Sequence, residues 1–415
     1  MTEIFTIKME KQVYGGDCLG RLPDGRAVFV PFVLPGEVVR VELVEEKKRY
    51  AHARPVEILQ SLPERISPLC IHFGICGGCQ YQHIDYTKQL ALKEDLLRDQ
   101  FQRIAHIENP PIQPIVPSPD PWHYRNHIQF HLSQKGELGF VHADGKHLLI
   151  IEECHLPQAG INETWPQLDL GGQSGVYRLG IRQDSYDDIM LIIEGEEAQP
   201  PEFSVDTSIS AVYTPAEAPL TLLAGDDHLT FTVFDRPFQV SARSFFQVNL
   251  GVAEKMVTHL LANLHLTEHT YAVELYAGVG LFSAFLAEKV GHLTAVESSG
   301  SACYDFAVNL DEFENVSLYE APAEAVLPSL ETPVDLLVMD PPRAGLAPAV
   351  HDALAELQPA QIAYISCDPA TLARDVKRIL GNGYRLESIT PFDMFPHTAH
   401  VETMTVLRRT QRVTS

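Results

Sequence analysis

Two groups of residues in the 415-residue chain have types and spacings that could do chemistry. Cys367 stands in the run Tyr364-Ile365-Ser366-Cys367-Asp368-Pro369, just past an apolar segment that reads as a strand. A thiol at the carboxyl end of a strand faces the crevice where ligands of α/β sheets bind, and there it can act as a covalent nucleophile. Cys70, Cys76 and Cys79 form a tight group with Gly77-Gly78 between the last two, so the loop can fold round a ligand. Cys154, in Glu152-Glu153-Cys154-His155, is the natural fourth thiolate. Four thiolates suit zinc or an iron–sulfur cluster, and spacing does not choose between them, since His72, His83 and His155 are also near. Cys18 and Cys303 read as structural. An odd total of seven, widely spread, is not a disulfide framework.

A third feature points to a nucleoside cofactor. Val273-Glu274-Leu275-Tyr276-Ala277-Gly278-Val279-Gly280 is a strand running into a Gly-rich turn, and a second strand ends in Glu297 about twenty residues on. Glycines let the backbone approach the ligand, and the carboxylate can accept from ribose hydroxyls. NAD enzymes share this arrangement, but the full Gly-x-Gly-x-x-Gly pattern is missing.

These residues need elements to position them. Residues 3 to 59 hold short alternating runs punctuated by Gly15-Gly16, Pro23-Asp24-Gly25 and Pro35-Gly36, the pattern of a small antiparallel barrel. The cysteine segment follows, then a helix-like run over 86–104, then mixed strands and turns over about 112–240. From about residue 245 helical stretches alternate with short apolar strands, which predicts a doubly wound α/β domain on a parallel sheet. The expected division is therefore a barrel at 1–60, a central α+β domain at 61–240 and an α/β domain at 241–415. The composition, 45% hydrophobic and 21% charged, is that of a globular protein with a substantial core. No stretch reaches a membrane-spanning length and the N-terminus carries no apolar signal region, so a cytoplasmic protein is expected. A net charge of −24 argues against a generic nucleic-acid binder. Residues 184–235, however, hold twelve Asp or Glu and no Lys or Arg, which is half of that charge. A basic groove elsewhere stays open, with Arg21, Lys47, Lys48, Arg49, Arg125, Arg343 and Arg374 as candidate phosphate contacts.

Further motifs make the pattern specific. Tyr14-Gly15-Gly16-Asp17-Cys18-Leu19-Gly20-Arg21 resembles the TRAM domain, an OB-like RNA-binding barrel. Met339-Asp340-Pro341-Pro342-Arg343, Ser366-Cys367-Asp368-Pro369, Phe246-Gln247-Val248-Asn249, Tyr124-Arg125-Asn126 and the run from Phe395 through Glu402 complete the set. With these the chain resembles, over nearly its whole length, the RNA 5-methyluridine methyltransferase family, and particularly the cluster-containing branch that modifies 23S ribosomal RNA.

The resemblance implies a Rossmann-like methyltransferase domain that uses S-adenosylmethionine, contacted by Gln247, Tyr276, Glu297 and Asp340. It implies Cys367 as the nucleophile on carbon 6 of uracil and Glu402 as the base at carbon 5, with His397 and His400 as nearby alternatives. It favours a 4Fe-4S cluster on Cys70, Cys76, Cys79 and Cys154 over zinc, and a monomer whose substrate is 23S rRNA, the T-loop uridine of tRNA being the other candidate. Two positions depart from the family: Glu274 replaces a common Asp and is expected to keep its charge, and Leu281 stands where a polar residue is usual. Two rivals remain. In a base-amino methyltransferase Asp340-Pro341-Pro342-Arg343 would be the catalytic loop, but Arg343 replaces the stacking aromatic and Cys367 has no role. A non-catalytic RNA-binding or ribosome-assembly factor would have no need of Cys367 and Glu402.

Overall fold

The structure is a computed structural model that describes residues 3–168, 171, 175–200, 209–330 and 333–410. Glu202 and Asp206 of the acidic segment lie outside the described residues.

The chain opens with a closed five-stranded barrel. Its strands β1 (Ile4–Gln12), β2 (Cys18–Arg21), β3 (Ala27–Val30), β4 (Val38–Glu46) and β5 (Tyr50–Gln60) are joined in the order β1-β2-β3-β5-β4. Alternation turns Ile7, Met9, Val28, Val30, Val39 and Val41 inward, with Cys18 buried among them. At the barrel's exit the buried Glu37 accepts from Leu34 N (2.8 Å) and from Arg65 Nε (2.6 Å) and Nη2 (2.7 Å), which fastens the cysteine segment to the barrel.

Helix α1 (Tyr86–Gln100) begins where Asp85 caps Thr87 N at 3.0 Å. It runs into one π-helical turn at Phe101–Ala105 and stops at His106, whose φ is 60°. A mixed sheet follows, built from β6 (His127–Leu132), β7 (Leu138–Val141), β8 (Leu148–Ile150), β9 (Val176–Gln183), β10 (Ile189–Gly195), β11 (Ser210–Pro215) and β12 (Thr221–Ala224). Their order is β12-β11-β10-β9-β6-β7-β8, parallel only between β10 and β11. The short helix α2 (Ala159–Thr164) packs beneath it, and a hairpin, β13 (His228–Val233) with β14 (Arg236–Ser241), leads into the last part.

That part is a seven-stranded sheet. Helix α3 (Leu250–Asn263) precedes β15 (Tyr271–Leu275), α4 (Leu281–Ala287), β16 (His292–Glu297), α5 (Gly300–Asn309), β17 (Val316–Glu320) and α6 (Ala323–Val326). Then come β18 (Leu336–Met339), α7 (Pro348–Leu357), β19 (Gln361–Ser366), α8 (Pro369–Gly381), β20 (Tyr384–Phe392) and β21 (Glu402–Arg409). The strand order is β17-β16-β15-β18-β19-β21-β20, and β21 alone runs against its neighbours. Apolar clusters fill both faces, one around Phe282, Leu293 and Val338, the other around Leu97, Val273 and Tyr364. The chain reverses direction of growth at β15, which opens a crevice at the strands' carboxyl ends. This is the Rossmann-like fold expected from the sequence. The described residues include no helix long and apolar enough to cross a membrane.

Two arrangements tie the parts together. The proline-rich segment 110–117 lies along the outer edge of β20, with Gln113 N on Ile389 O (2.8 Å) and Val116 N on Pro391 O (2.9 Å). Lys93 of α1, fully buried, donates to Asp393 Oδ1 at 2.5 Å and to Phe395 O at 3.0 Å, while Tyr86 donates to Asp393 Oδ2 at 2.8 Å. Breaking a buried ion pair by removing one partner leaves an uncompensated charge. Lys93→Met is therefore expected to lower stability by about 3–5 kcal/mol, measured by urea denaturation.

Candidate active site

The strand registers bring the candidate residues together. In the antiparallel ladder Ser366 of β19 lies opposite Thr403 of β21, so the next positions outward are Cys367 and Glu402. In the parallel ladders Leu275 lies beside both Met339 and Val296, so Tyr276, Asp340 and Glu297 follow at the ends of three adjacent strands. Residues from five separate sequence regions thus meet at one end of the sheet.

The turn after β15 is shaped for a close-lying ligand. Tyr276, Gly278 and Gly280 have φ of 62°, 56° and 92°. A Cβ on Gly280 would stand 2.4 Å from Leu310 Cδ1, so glycine is required for packing as well as for conformation. Glu297 is held by three backbone donors, Gly278 N (2.9 Å), Ser298 N (2.7 Å) and Ser299 N (2.8 Å). Glu274 is buried and accepts from Ser283 Oγ at 2.5 Å. Burial pushes its carboxyl up to about 8, against the lowering effect of the Ser283 hydrogen bond. Leu281 faces the apolar core and offers no polar contact. Gln247 is buried, with its backbone fixed by Asn126 Nδ2 on Gln247 O (3.0 Å) and Asn126 N on Val248 O (3.1 Å).

Cys367 is half-buried, and burial, with Glu402 and Asp340 nearby, pushes its thiol up to about 11. Burial and the proximity of Asp340 raise Glu402 well above the usual carboxylate range, and its Oε1 has no hydrogen-bond partner. Burial lifts Asp340 to about 7. Arg343 opposes these shifts at Cys367 and at Glu402. Its loop is braced by Asp375, which accepts from Leu346 N (2.9 Å), Tyr364 Oη (2.8 Å) and His351 Nε2 (3.1 Å). Arg374 donates to Asp375 Oδ1 and Ala344 O, and so serves the loop as a brace.

The segment leading into Glu402 is clamped from several sides. His397 O accepts from Gln80 N (3.0 Å) and Tyr81 N (2.9 Å), Pro396 O from Tyr124 Oη (3.2 Å), and Met394 O from Asn249 Nδ2 (3.4 Å). His397 is stacked on Trp122, with ring centroids 3.6 Å apart, and its Nδ1 meets Gln89 Nε2 at 3.1 Å. Burial pushes both His397 and His400 down to about 4, so each is a neutral and weak base.

Comparisons with known proteins agree with this geometry. Residues 329–410 match the family described as tRNA (Uracil-5-)-methyltransferase, and residues 2–56 match the TRAM domain. A protein of Aquifex aeolicus described as an uncharacterized RNA methyltransferase is 33% identical over 97% of both chains. One of Thermosynechococcus vestitus, described in the same words, is 32% identical over 97% of both. The crystal structure of Pyrococcus abyssi tRNA (uracil-54, C5)-methyltransferase with S-adenosyl-L-homocysteine superposes with a TM-score of 0.74 and 26% identity, covering 97% of this chain and 100% of that one. The chain belongs to the RNA uracil-5-methyltransferase family. It is an S-adenosylmethionine-dependent enzyme whose substrate is RNA.

The methyltransferase has a second candidate site away from the crevice. Cys70, Cys76, Cys79 and Cys154 line one cavity of about 580 Å³, together with Arg125 and His127. None of the described cysteines is in a disulfide. His72 lines the same cavity and its Nε2 accepts from Glu152 N (3.0 Å), while His83 is packed against Phe32 and Phe73. Among the described residues no group of three or more His, Cys, Asp or Glu is placed to hold a metal ion, so the expected metal site on these four cysteines is not shown by the geometry.

Several residues that hold the methyltransferase site were missed from sequence. Lys93, Asp393 and Asp375 act through tertiary contacts that no spacing announces. Tyr14 donates to Asp368 from across the chain. The candidate phosphate contacts separate: Lys47 pairs with Glu45 (2.6 Å) and Arg21 lies 3.7 Å from Glu10, both exposed, while Arg343 stands at the site mouth.

The raised Cys367 has a measurable consequence. Only the thiolate alkylates, so iodoacetamide labelling of Cys367, followed by mass spectrometry, should rise about tenfold per pH unit between pH 7 and 9 without a plateau. Arg343→Ala should slow labelling at fixed pH. A plateau below pH 8 would contradict the unfavourable surroundings described for the thiol.

Proposed function

We propose that this methyltransferase modifies carbon 5 of a uridine in 23S rRNA through a covalent adduct of Cys367, acting as a cytoplasmic monomer. The observation that supports the reading is the β19–β21 register, in which Cys367 and Glu402 are the next facing positions beyond Ser366 and Thr403. S-adenosylmethionine supplies the methyl group as a sulfonium, with Gln247, Tyr276, Glu297 and Asp340 proposed as its contacts. Cys367 Sγ forms a bond to carbon 6, and the displaced π electrons make carbon 5 nucleophilic. Carbon 5 takes the methyl group as the bond from methyl to sulfonium sulfur breaks. Glu402 then accepts the proton from carbon 5, the C5–C6 double bond re-forms and the thiolate leaves.

The site's electrostatics fit these roles. A carboxyl raised by burial is a stronger base once ionised than an ordinary one. A bound cation beside Asp340 would favour the charged forms of both Glu402 and Cys367, so each would be readied when the donor is in place. His397 and His400, held near 4, are poorer bases.

We further propose that Cys70, Cys76, Cys79 and Cys154 hold a 4Fe-4S cluster in the cavity they line. It would stitch the cysteine segment to the central sheet, and iron and sulfide analysis of anaerobically purified protein tests it. The barrel combined with this cysteine segment favours ribosomal RNA. The likeness to the Pyrococcus abyssi enzyme supports a second reading, the T-loop uridine of tRNA.

Mapping 5-methyluridine in both RNAs of a deletion strain separates the two readings. A mark lost from 23S rRNA is expected, and one lost from tRNA alone would favour the second. Cys367→Ala should abolish methyl transfer while S-adenosylmethionine affinity stays within a few fold, because the thiol touches the base and not the donor. Glu402→Gln should accumulate a methylated protein–RNA adduct that survives denaturing gels. Normal turnover by the Ala variant would remove Cys367 from the mechanism, and rapid release by the Gln variant would assign the proton to another base.

A further inference from the structure

The barrel and the candidate nucleophile meet. Tyr14, in the turn between β1 and β2, donates its hydroxyl to Asp368 Oδ2, 354 residues away in sequence. The other oxygen of Asp368 caps α8, accepting from Ala370 N (3.0 Å) and Thr371 N (2.9 Å). One carboxylate thus fixes the helix with Oδ1 and grips the barrel with Oδ2, directly after Cys367 in the chain.

The turn that carries Tyr14 is itself fitted to the site. Val13 N donates to Asp17 O (2.9 Å) and Gln12 Nε2 to Gly16 O (2.5 Å). Gly16 has φ of 99°, and a Cβ there would lie 2.8 Å from Gln80 Cγ and 3.3 Å from Ala399 Cβ. Gln80 in turn holds Ala399 N through Oε1 (3.1 Å) and His397 O through its own N (3.0 Å). The barrel turn therefore presses on the segment that delivers Glu402 while its tyrosine reaches the residue beside Cys367. Both flanks of the candidate catalytic pair are touched by one loop of the barrel.

We propose that Tyr14 is a positioning residue of the catalytic centre, holding Asp368 so that Cys367 faces carbon 6 of the uracil, and that the barrel thereby takes part in catalysis as well as in RNA binding. The inference rests on Cys367 being the nucleophile. Burial and the neighbouring Asp368 keep the phenol protonated, so Tyr14 serves as a donor across the working pH range.

Adduct formation isolates this role from product release. In RNA carrying 5-fluorouridine, carbon 5 has no proton to lose, so the covalent species persists and its rate of appearance can be read on denaturing gels. Tyr14→Phe, which removes one hydroxyl and keeps the ring, should slow that rate roughly ten- to thirtyfold. RNA and S-adenosylmethionine affinities should stay within about threefold, since neither ligand is gripped by this bond. Asp368→Asn keeps an oxygen to cap α8 but loses the second acceptor. Its amide can still donate to the Tyr14 hydroxyl oxygen, so it should slow the reaction less than Tyr14→Phe, and the double variant should be no slower than Tyr14→Phe alone, because the hydroxyl through which Asp368 is held is already gone. A wild-type rate for Tyr14→Phe would overturn the proposal. So would multiplying effects in the double variant, or a loss seen only in Tyr14→Ala, which would assign the ring to packing. An adduct formed by Cys367→Ala would show that the nucleophile was misassigned, whereas no adduct there with a normal Tyr14→Phe rate would defeat the role of Tyr14 alone.

Discussion

The antiparallel pairing of β21 between β19 and β20 is the constraint on which the site depends. Ser366 opposite Thr403 fixes Cys367 opposite Glu402, and Phe392 opposite Glu402 fixes the far side. A shift of one residue would turn every side chain of β21 to the other face of the sheet, sending Glu402 into the core and Thr403 toward the crevice. The register is fixed by the buried alternation along β21 and by the clamped segment before it. Lys93 and Asp393, both buried, hold the start of that segment, and Gln80, Gln89 and Tyr124 hold its backbone further on. Precision at two side chains is thus set by hydrogen bonds made well away from them.

The same crowding of acids that gives the site its chemistry makes it electrostatically unfavourable when empty of cations. Glu274, Asp340 and Glu402 all have raised carboxyls, with burial the leading cause in each. Glu297 differs because three backbone N–H groups face it. One acidic neighbourhood therefore contains a carboxylate fixed by backbone donors and others whose charge depends on what is bound beside them. Arg343, itself exposed, is the cation that opposes the shifts at Cys367 and Glu402.

Much of the architecture could be read from the sequence because it rests on local patterns. Short alternating runs with glycine turns gave the barrel, and apolar strands that end in Tyr276, Glu297, Asp340 and Ser366 gave the α/β sheet and the side of it that faces ligand. The four cysteines could be grouped because three are adjacent and the fourth has its own short motif. What stayed hidden was long-range. Tyr14 looks like part of a turn motif until the barrel is docked on residues 397–400. Lys93 looks like a surface lysine of an amphipathic helix, and only the fold shows it buried against Asp393. Within the acidic stretch Asp184 is buried and accepts from Tyr186, Asp188 and Thr230 backbone N–H groups. Net charge counted along a sequence does not distinguish such a structural carboxylate from one that repels phosphates.

The proline-rich strap along β20 bears on how the protein behaves in a crowded solution. A sheet edge carries a row of free backbone groups that can recruit a strand from another molecule, and β20 is long and apolar at its end. Residues 110–117 satisfy those groups from within the chain, and Pro110, Pro111, Pro114 and Pro117 have no N–H of their own to offer outward. The strap therefore closes the growing side of the sheet with a surface that cannot template another strand. That side of the sheet is in this way denied the open strand edge through which copies of one chain can pair.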